Sequence, residues 1–272
     1  METIVITGAS GFIGKSIAKR AANNKNYKVI LISSSQATKP YTFINNFDEV
    51  PSGDILIHLS ENSDRNIVNN TKESYIENTG MRLDTLLKKN FKKVIYFSSS
   101  AVYGSNGTMP YREDSRVYES DIYTKSKIAN EKKALDFGGI VARVVNVVGP
   151  NMSKRNVLSE IISQLNFNDE IIVKNEKPIR DFIWHEDLAD AVMALTKIND
   201  FGIFNIGTGI GTSIKKIIEI AIKASGNSQV IHSLDKNDFS SYNVVNIDKI
   251  KNISNWAPKH TIESIIGEMI SK

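Results

Sequence analysis

Three glycines in seven residues, Gly8-Ala9-Ser10-Gly11-Phe12-Ile13-Gly14, separate an apolar stretch, Thr3-Ile4-Val5-Ile6-Thr7, from an amphipathic segment over 12–23. Strand, glycine turn, helix: this order constrains the fold more than any other feature of the chain. Glycine lets the backbone turn tightly and lets its N–H groups approach an anion seated at the positive end of the helix. A glycine triplet alone marks only a turn, but in this context it predicts a dinucleotide pyrophosphate at the start of the first helix.

The same alternation continues downstream. Strand patterns fall at 28–32, 55–59, 94–97 and 140–145, with helical patterns over about 69–89 and 119–136. Short apolar strands alternating with amphipathic helices predict βαβ units, hence a doubly wound parallel α/β sheet buried on both faces. After Gly149-Pro150 the rhythm loosens: a helix near 156–165, strands at 170–173, 179–183 and 203–206, and a helix from about 185. Residues 1–150 are therefore expected to form the dinucleotide-binding domain, with 179–206 returning to it. Segments 151–178 and 207–272 are expected to form a small substrate-binding lobe. Residues 34–53 are long and polar for a connection, which predicts a shortened or irregular crossover.

Composition narrows the function. With no cysteine among 272 residues, disulfides, thiolate metal sites and a cysteine nucleophile are excluded. The N-terminus opens on a strand pattern rather than a signal peptide, and no apolar run reaches the roughly 18 residues of a membrane span, so a cytoplasmic protein without a membrane partner is expected. The net charge of +4 is scattered, and its densest cluster, Lys88-Lys89 and Lys92-Lys93, reads as solvated surface; a nucleic-acid partner is not expected. His58 reads as a packed strand residue, and His185-Glu186-Asp187 as a helix start. The histidines lie far apart without carboxylates at ligand spacing, so no metal is expected.

At the end of the second strand, where an acidic residue binds the adenosine ribose diol, stand Leu31-Ile32-Ser33-Ser34-Ser35, with Lys39 following. No carboxylate is there to repel a 2′-phosphate, and hydroxyls with a nearby cation can accept one. NADP(H) is favoured, with NAD(H) the alternative. Farther along, Tyr123 and Lys127 are four apart in a helical pattern and share a face. A free phenol ionises near pH ~10, and a neighbouring ammonium favours the phenolate needed for acid–base work. One loop earlier, Ser98-Ser99-Ser100-Ala101-Val102-Tyr103-Gly104 follows a strand end, where doubly wound folds bind ligands.

Together these segments resemble the extended short-chain dehydrogenase/reductases, specifically the NAD(P)-dependent nucleotide-sugar epimerase/dehydratase family. The resemblance covers nearly the whole chain. Besides the glycine loop and the two segments just described, it includes 54–59 with Asn78, Arg143-Val144-Val145-Asn146-Val147-Val148-Gly149-Pro150, residues 180–189, and Phe204-Asn205-Ile206-Gly207-Thr208-Gly209. It implies a Rossmann sheet and an enzyme in which Tyr123 is the acid/base and Lys127 lowers its pKa and binds the nicotinamide ribose. Ser99 would be the catalytic hydroxyl. Ser10, Phe12, Ile13, Ser33, Ser34, Leu59, Asn78 and Ser98 would join the glycines around the cofactor. Ser99, Ser100, Tyr123, Asn146 and Arg180 would meet the substrate, with Arg180 on the nucleotide diphosphate. A homodimer is common in such families.

The departures matter as much. Family dehydratases carry an Asp-Glu pair directly after the catalytic hydroxyl; here the positions hold Ser100 and Ala101, so dehydration is not expected. Ser240-Ser241-Tyr242 stands where the family often has an arginine for the diphosphate. The expected activity is NADP(H)-dependent reduction of a 4-keto-6-deoxy nucleotide-diphosphate sugar. The alternatives are an NAD-dependent nucleotide-sugar 4-epimerase and a non-catalytic nucleotide-sensing module, the latter disfavoured because Ser99, Tyr123 and Lys127 are all present.

Overall fold

Strand β1 (Glu2–Thr7), buried from Ile4 onward, lies within a seven-stranded parallel sheet in the computed structural model, which describes residues 1–35, 38–165, 169–235 and 240–271. Helix α1 (Phe12–Ala22) follows the glycine turn, and β2 (Tyr27–Ser33) returns parallel to β1 with Leu31 opposite Ile6. The two-residue β3 (Thr42–Phe43) pairs with the end of β2, and β4 (Ile55–His58) lies on the other side of β1. The described part of the 34–53 connection is irregular, as its polarity predicts, holding β3 and one tight helical turn at Phe47–Glu49.

The helix expected over 69–89 is α3 (Ser74–Leu87), which starts one turn later, and a short helix, α2 (Arg65–Asn69), precedes it. The Asp64 side chain caps α2 by accepting from the Asn66 and Ile67 amides, and the Thr71 hydroxyl turns back onto the Val68 carbonyl. Short polar side chains that bond their own backbone compete with helix, and Thr71 does so in the gap between α2 and α3. The alternation resumes with β5 (Lys93–Ser99), α4 (Ile122–Asp136) and β6 (Ile140–Val144). Helix α4 begins at Ile122 because Asp121 and Thr124 form a reciprocal capping box.

Beyond β6 the strands are short. β7 (Asn146–Val148) will pair with a later strand, α5 (Val157–Gln164) leads to β8 (Glu170–Val173), and the strand expected over 179–183 is split into β9 (Ile179–Arg180) and β10 (Phe182–Trp184). The split falls at Asp181, whose buried carboxylate accepts from the Thr208 and Gly209 amides. Then come α6 (His185–Leu195), β11 (Gly202–Ile206), β12 (Thr212–Ser213), α7 (Ile214–Ser225), β13 (Val230–Ser233), β14 (Tyr242–Asn243), α8 (Asp248–Ser254) and α9 (Ile262–Ile270). The main sheet runs β11-β6-β5-β4-β1-β2-β3; beside it β10 pairs with β7, β13 with β8, and β9 lies between β12 and β14.

Two large cores, with two smaller clusters around Leu56 and Leu83, hold this arrangement among the described residues. Ile4, Ile6, Ile17, Ile95, Val192 and Phe204 belong to the core of the main sheet and its helices α1 and α6. Leu158, Ile161, Trp184, Ile217, Ile218 and Ile265 form a second core under α5, α7 and α9. Fully burying one such side chain is worth roughly 1.5–3 kcal/mol, so these cores outweigh the surface ion pairs in fixing the scaffold. Among the described residues no helix is long and apolar enough to cross a membrane.

Candidate active site

A cleft of about 1340 Å³ opens at the C-terminal ends of the parallel strands, between the main sheet and the segments that follow β6. Pockets for one small ligand are typically about 300–1,000 Å³, so this cleft has room for two side by side. Its walls are the glycine loop, the ends of β4 and β5, the first turns of α4, the β6–β7 region, and Arg180 with Asn243.

The glycine loop is shaped by contacts that no larger residue tolerates. Gly8 has φ of +70°, and a Cβ there would lie 2.8 Å from the Leu59 carbonyl carbon. At Gly14 a Cβ would lie 2.2 Å from the Gly8 carbonyl oxygen, so α1 packs directly on the turn. No side chain caps α1, and its first turn carries no acid. The open N–H groups of that turn suit an anion, and the residues present therefore fit a dinucleotide pyrophosphate. At the end of β2, the Ser10 and Ser33 hydroxyls are 2.8 Å apart, with the Ser35 hydroxyl 3.4 and 3.5 Å from them. Ser33 is buried and Ser34 exposed.

The inner end of the cleft is dense. Tyr123 is buried on α4, where its amide donates to the Asn69 side chain at 3.0 Å. One turn on, the Lys127 ammonium lies 5.8 Å from the Tyr123 ring centroid. It donates to the Phe97 carbonyl at 2.8 Å and to the Glu61 carboxylate at 2.7 Å. Burial alone would push the Glu61 carboxyl up, but the Lys127 charge, His58 and hydrogen bonds from Lys127 and Tyr96 hold it below the ordinary carboxylate range. Burial likewise works against the Lys127 charge, yet Glu61 and Tyr123 keep its affinity for the proton above the usual. His58 is packed in the strand as expected, its Nδ1 2.7 Å from the Thr7 hydroxyl, and burial pulls its imidazole down to about 4.

The three serines after β5 have separate surroundings. Ser99 is half-buried, and its hydroxyl accepts from the Ala101 amide at 3.2 Å. Ser98 lines the cleft but donates its hydroxyl to Glu131, which is itself locked in a buried pair with Arg143 at 2.6 Å. Ser100 is buried and donates to the Asn243 side chain at 2.7 Å, while the Asn243 amide donates to the Ser100 and Gly104 carbonyls at 3.0 and 2.7 Å. At the outer end, Asn146 donates to the Asp181 carbonyl at 3.1 Å. Arg180 donates to the Ser241 carbonyl at 2.9 Å and to its hydroxyl at 2.7 Å.

Most residues singled out from the sequence thus converge on one cleft. Gly8, Gly11, Phe12, Ile13, Gly14, Leu59, Ser98, Ser99, Ser100, Tyr123, Lys127, Asn146 and Arg180 all line it. Ser10 and Ser33 meet at the end of β2, outside that lining, and Asn78 sits on the exposed face of α3, apart from it. The motifs do not include Glu61, nor Arg65, Arg116 and Arg155, which also line the cleft. For Glu61 the only available signal is its place just beyond the end of a parallel strand. Among the described residues no group of three or more His, Asp or Glu side chains is placed to hold a metal ion.

Fold and site define an NAD(P)-dependent enzyme of the extended short-chain dehydrogenase/reductase class. Within it, the chain belongs to the NAD dependent epimerase/dehydratase family, whose model matches residues 4–207. A putative UDP-arabinose 4-epimerase 2 of Arabidopsis thaliana is 32% identical over 68% of the chain, which spans 52% of that relative's length. A UDP-glucose 4-epimerase of Halalkalibacterium halodurans is 24% identical over 97% of the chain and 93% of its own. Among solved structures, RMD from Pseudomonas aeruginosa complexed with NADPH superposes with a TM-score of 0.88 at 19% identity, covering 100% of this chain and 98% of that one. That likeness establishes the fold.

Proposed function

We propose that this protein is an NADPH-dependent reductase of a 4-keto-6-deoxy nucleotide-diphosphate sugar. The observation that carries the reading is the end of β2, where the hydroxyls of Ser10, Ser33 and Ser35 gather within 3.5 Å and no carboxylate stands among them. Hydroxyls accept a 2′-phosphate there, whereas an acid would repel it. NADPH bound along the glycine loop supplies the hydride. Tyr123 then delivers a proton to the carbonyl oxygen of the sugar, the Ser99 hydroxyl orients that oxygen by a hydrogen bond, and Lys127 supports Tyr123 from one turn away. Arg180 meets the diphosphate from the segments after β6, with Asn146 beside the sugar. Ser100 and Ala101 offer no acid–base pair for dehydration, and the Ser100 hydroxyl is already bonded to Asn243.

A second reading, an NAD-dependent 4-epimerase, is favoured by the names of the curated relatives. Both reactions use Ser99, Tyr123 and Lys127 alike, so fate of the cofactor separates them. Given NADPH and a 4-keto-6-deoxy nucleotide sugar, the protein should consume the near-ultraviolet absorbance of NADPH in step with the ketone. Flat absorbance, with a saturated nucleotide hexose converted to its 4-epimer without added cofactor, would replace reduction by epimerisation. Ser33→Asp should reverse the order of NADPH and NADH affinities, and equal affinities in the natural protein would remove the basis for NADPH.

A further inference from the structure

Glu61 is a carboxylate sunk into the inner end of the cleft, its side chain only 4% exposed. One oxygen accepts from the Lys127 ammonium at 2.7 Å and the Tyr96 hydroxyl at 3.0 Å; the other accepts from the Asn130 amide at 3.0 Å. His58 Nε2 is 3.9 Å from that second oxygen. Because burial holds His58 neutral down to about pH 4, it supplies no counter-charge at neutral pH. Lys127 is therefore the buried counter-ion of Glu61. A carboxylate so placed is expensive to bury unless paired and hydrogen-bonded, and here it is both.

We propose that Glu61 is the positioning and charge-balancing residue of Lys127: it fixes the ammonium against the Phe97 carbonyl and cancels its charge at the inner end of the cleft. This rests on the use of NAD(P) and not on the direction of the reaction proposed above. One consequence follows from charge alone. An oxidised nicotinamide carries a positive charge that the reduced ring lacks, so a lysine without its carboxylate should disfavour the oxidised cofactor. The other titratable and charged groups around the pair are His58 on β4, Tyr75 and Arg82 on α3, Tyr96 on β5, and Tyr123 and Glu131 on α4. Glu61 also acts on His58, Tyr75 and Tyr96, and Glu61→Asp, which keeps the charge, separates loss of the charge from a change of shape.

The test is Glu61→Gln in the full chain, which keeps the shape and removes the charge. Dissociation constants for oxidised and reduced cofactor are measured by fluorescence titration. Their ratio, oxidised over reduced, should rise by about ten-fold. Glu61→Asp, which keeps the charge, should retain the natural ratio. A folded Glu61→Gln with an unchanged ratio overturns the proposal. If Glu61→Gln does not fold, melting curves decide. Lys127→Met should lose stability as pH rises, because Glu61 is left ionised and unpaired. Adding Glu61→Gln to Lys127→Met should then raise the melting temperature, and a double variant that melts no higher overturns the idea. Neither the affinity ratio nor the melting curves need turnover, so failure to oxidise NADPH would strike the proposed reaction and leave this pairing standing.

Discussion

Buried pairs hold the charges at and just behind the inner end of the cleft, Glu61 with Lys127 in its lining and Glu131 with Arg143 behind Ser98, each with side chains no more than 9% exposed. At the outer end Arg155 meets Asp64 at 3.1 Å and Arg65 meets Asp121 at 2.5 Å, with the two arginines 68% and 47% exposed. The inner pairs have lost their water and hold each other in one geometry. The outer arginines keep much of their hydration and can exchange a carboxylate for a ligand's phosphate at little cost. The contrast is one of solvation: the inner pairs are set when the chain folds, and the outer arginines stay open to solvent.

The sharpest break of that contrast should come from Tyr123→Phe, which removes the phenolic proton and keeps the buried ring. Turnover should fall by roughly 10²–10⁴-fold, the usual worth of a positioned acid–base group, while cofactor affinity and melting temperature stay near those of the natural protein. Near-normal turnover would remove Tyr123 from the chemistry. Next in size is Arg143→Met, which leaves Glu131 buried with no counter-charge. Denaturant unfolding should show a loss of about 3–5 kcal/mol, the cost of orphaning one member of a buried pair. A loss no greater than that of an exposed pair would mean that the inner end is not insulated.

His58 gives an intermediate effect with a definite sign. Its pKa falls from 6.5 to about 4 in the folded state, so the unfolded chain binds the proton more tightly. Stability is therefore intact above pH 6.5 and declines as pH falls from there toward about 4. The loss over that window should be about 3 kcal/mol, and His58→Gln should flatten it by a similar amount in melts at stepped pH. The smallest effect is expected at the outer end. Arg155→Ala should barely move the melting temperature and should raise KM for the nucleotide sugar by no more than about ten-fold with kcat unchanged. A collapse in kcat would make the two ends one unit.

Much of the scaffold is legible from local pattern. The glycine loop, the apolar strands and the Tyr123–Lys127 spacing are each written within a few residues, and the parallel order of the sheet follows from their alternation. What escaped depends on distance along the chain. Glu61 and Lys127 are 66 residues apart, and Ser100 and Asn243 are 143 apart, so no window contains either pair. The short helix α2 escaped for a different reason: only Ile67 and Val68 are apolar in it, too few to show a period, and its start is set by the Asp64 cap. Ser100 also shows the limit of motif reading, since its place beside Ser99 suggests a ligand contact and its hydroxyl is instead taken by Asn243.

The Ser100–Asn243 bond joins two parts of the chain that lie 143 residues apart. Asn243 sits directly across from Arg180 on the neighbouring strand, and the same side chain grips the Ser100 and Gly104 carbonyls at the two ends of the turn that follows Ser99. Neighbouring strands are only about 4.8 Å apart. Arg180 and the turn are therefore one strand spacing apart, joined by the hydrogen bonds of Asn243 and not through the sheet's core. On the function proposed above, grip on the nucleotide by Arg180 and aim at the sugar by Ser99 would be coupled through this one asparagine.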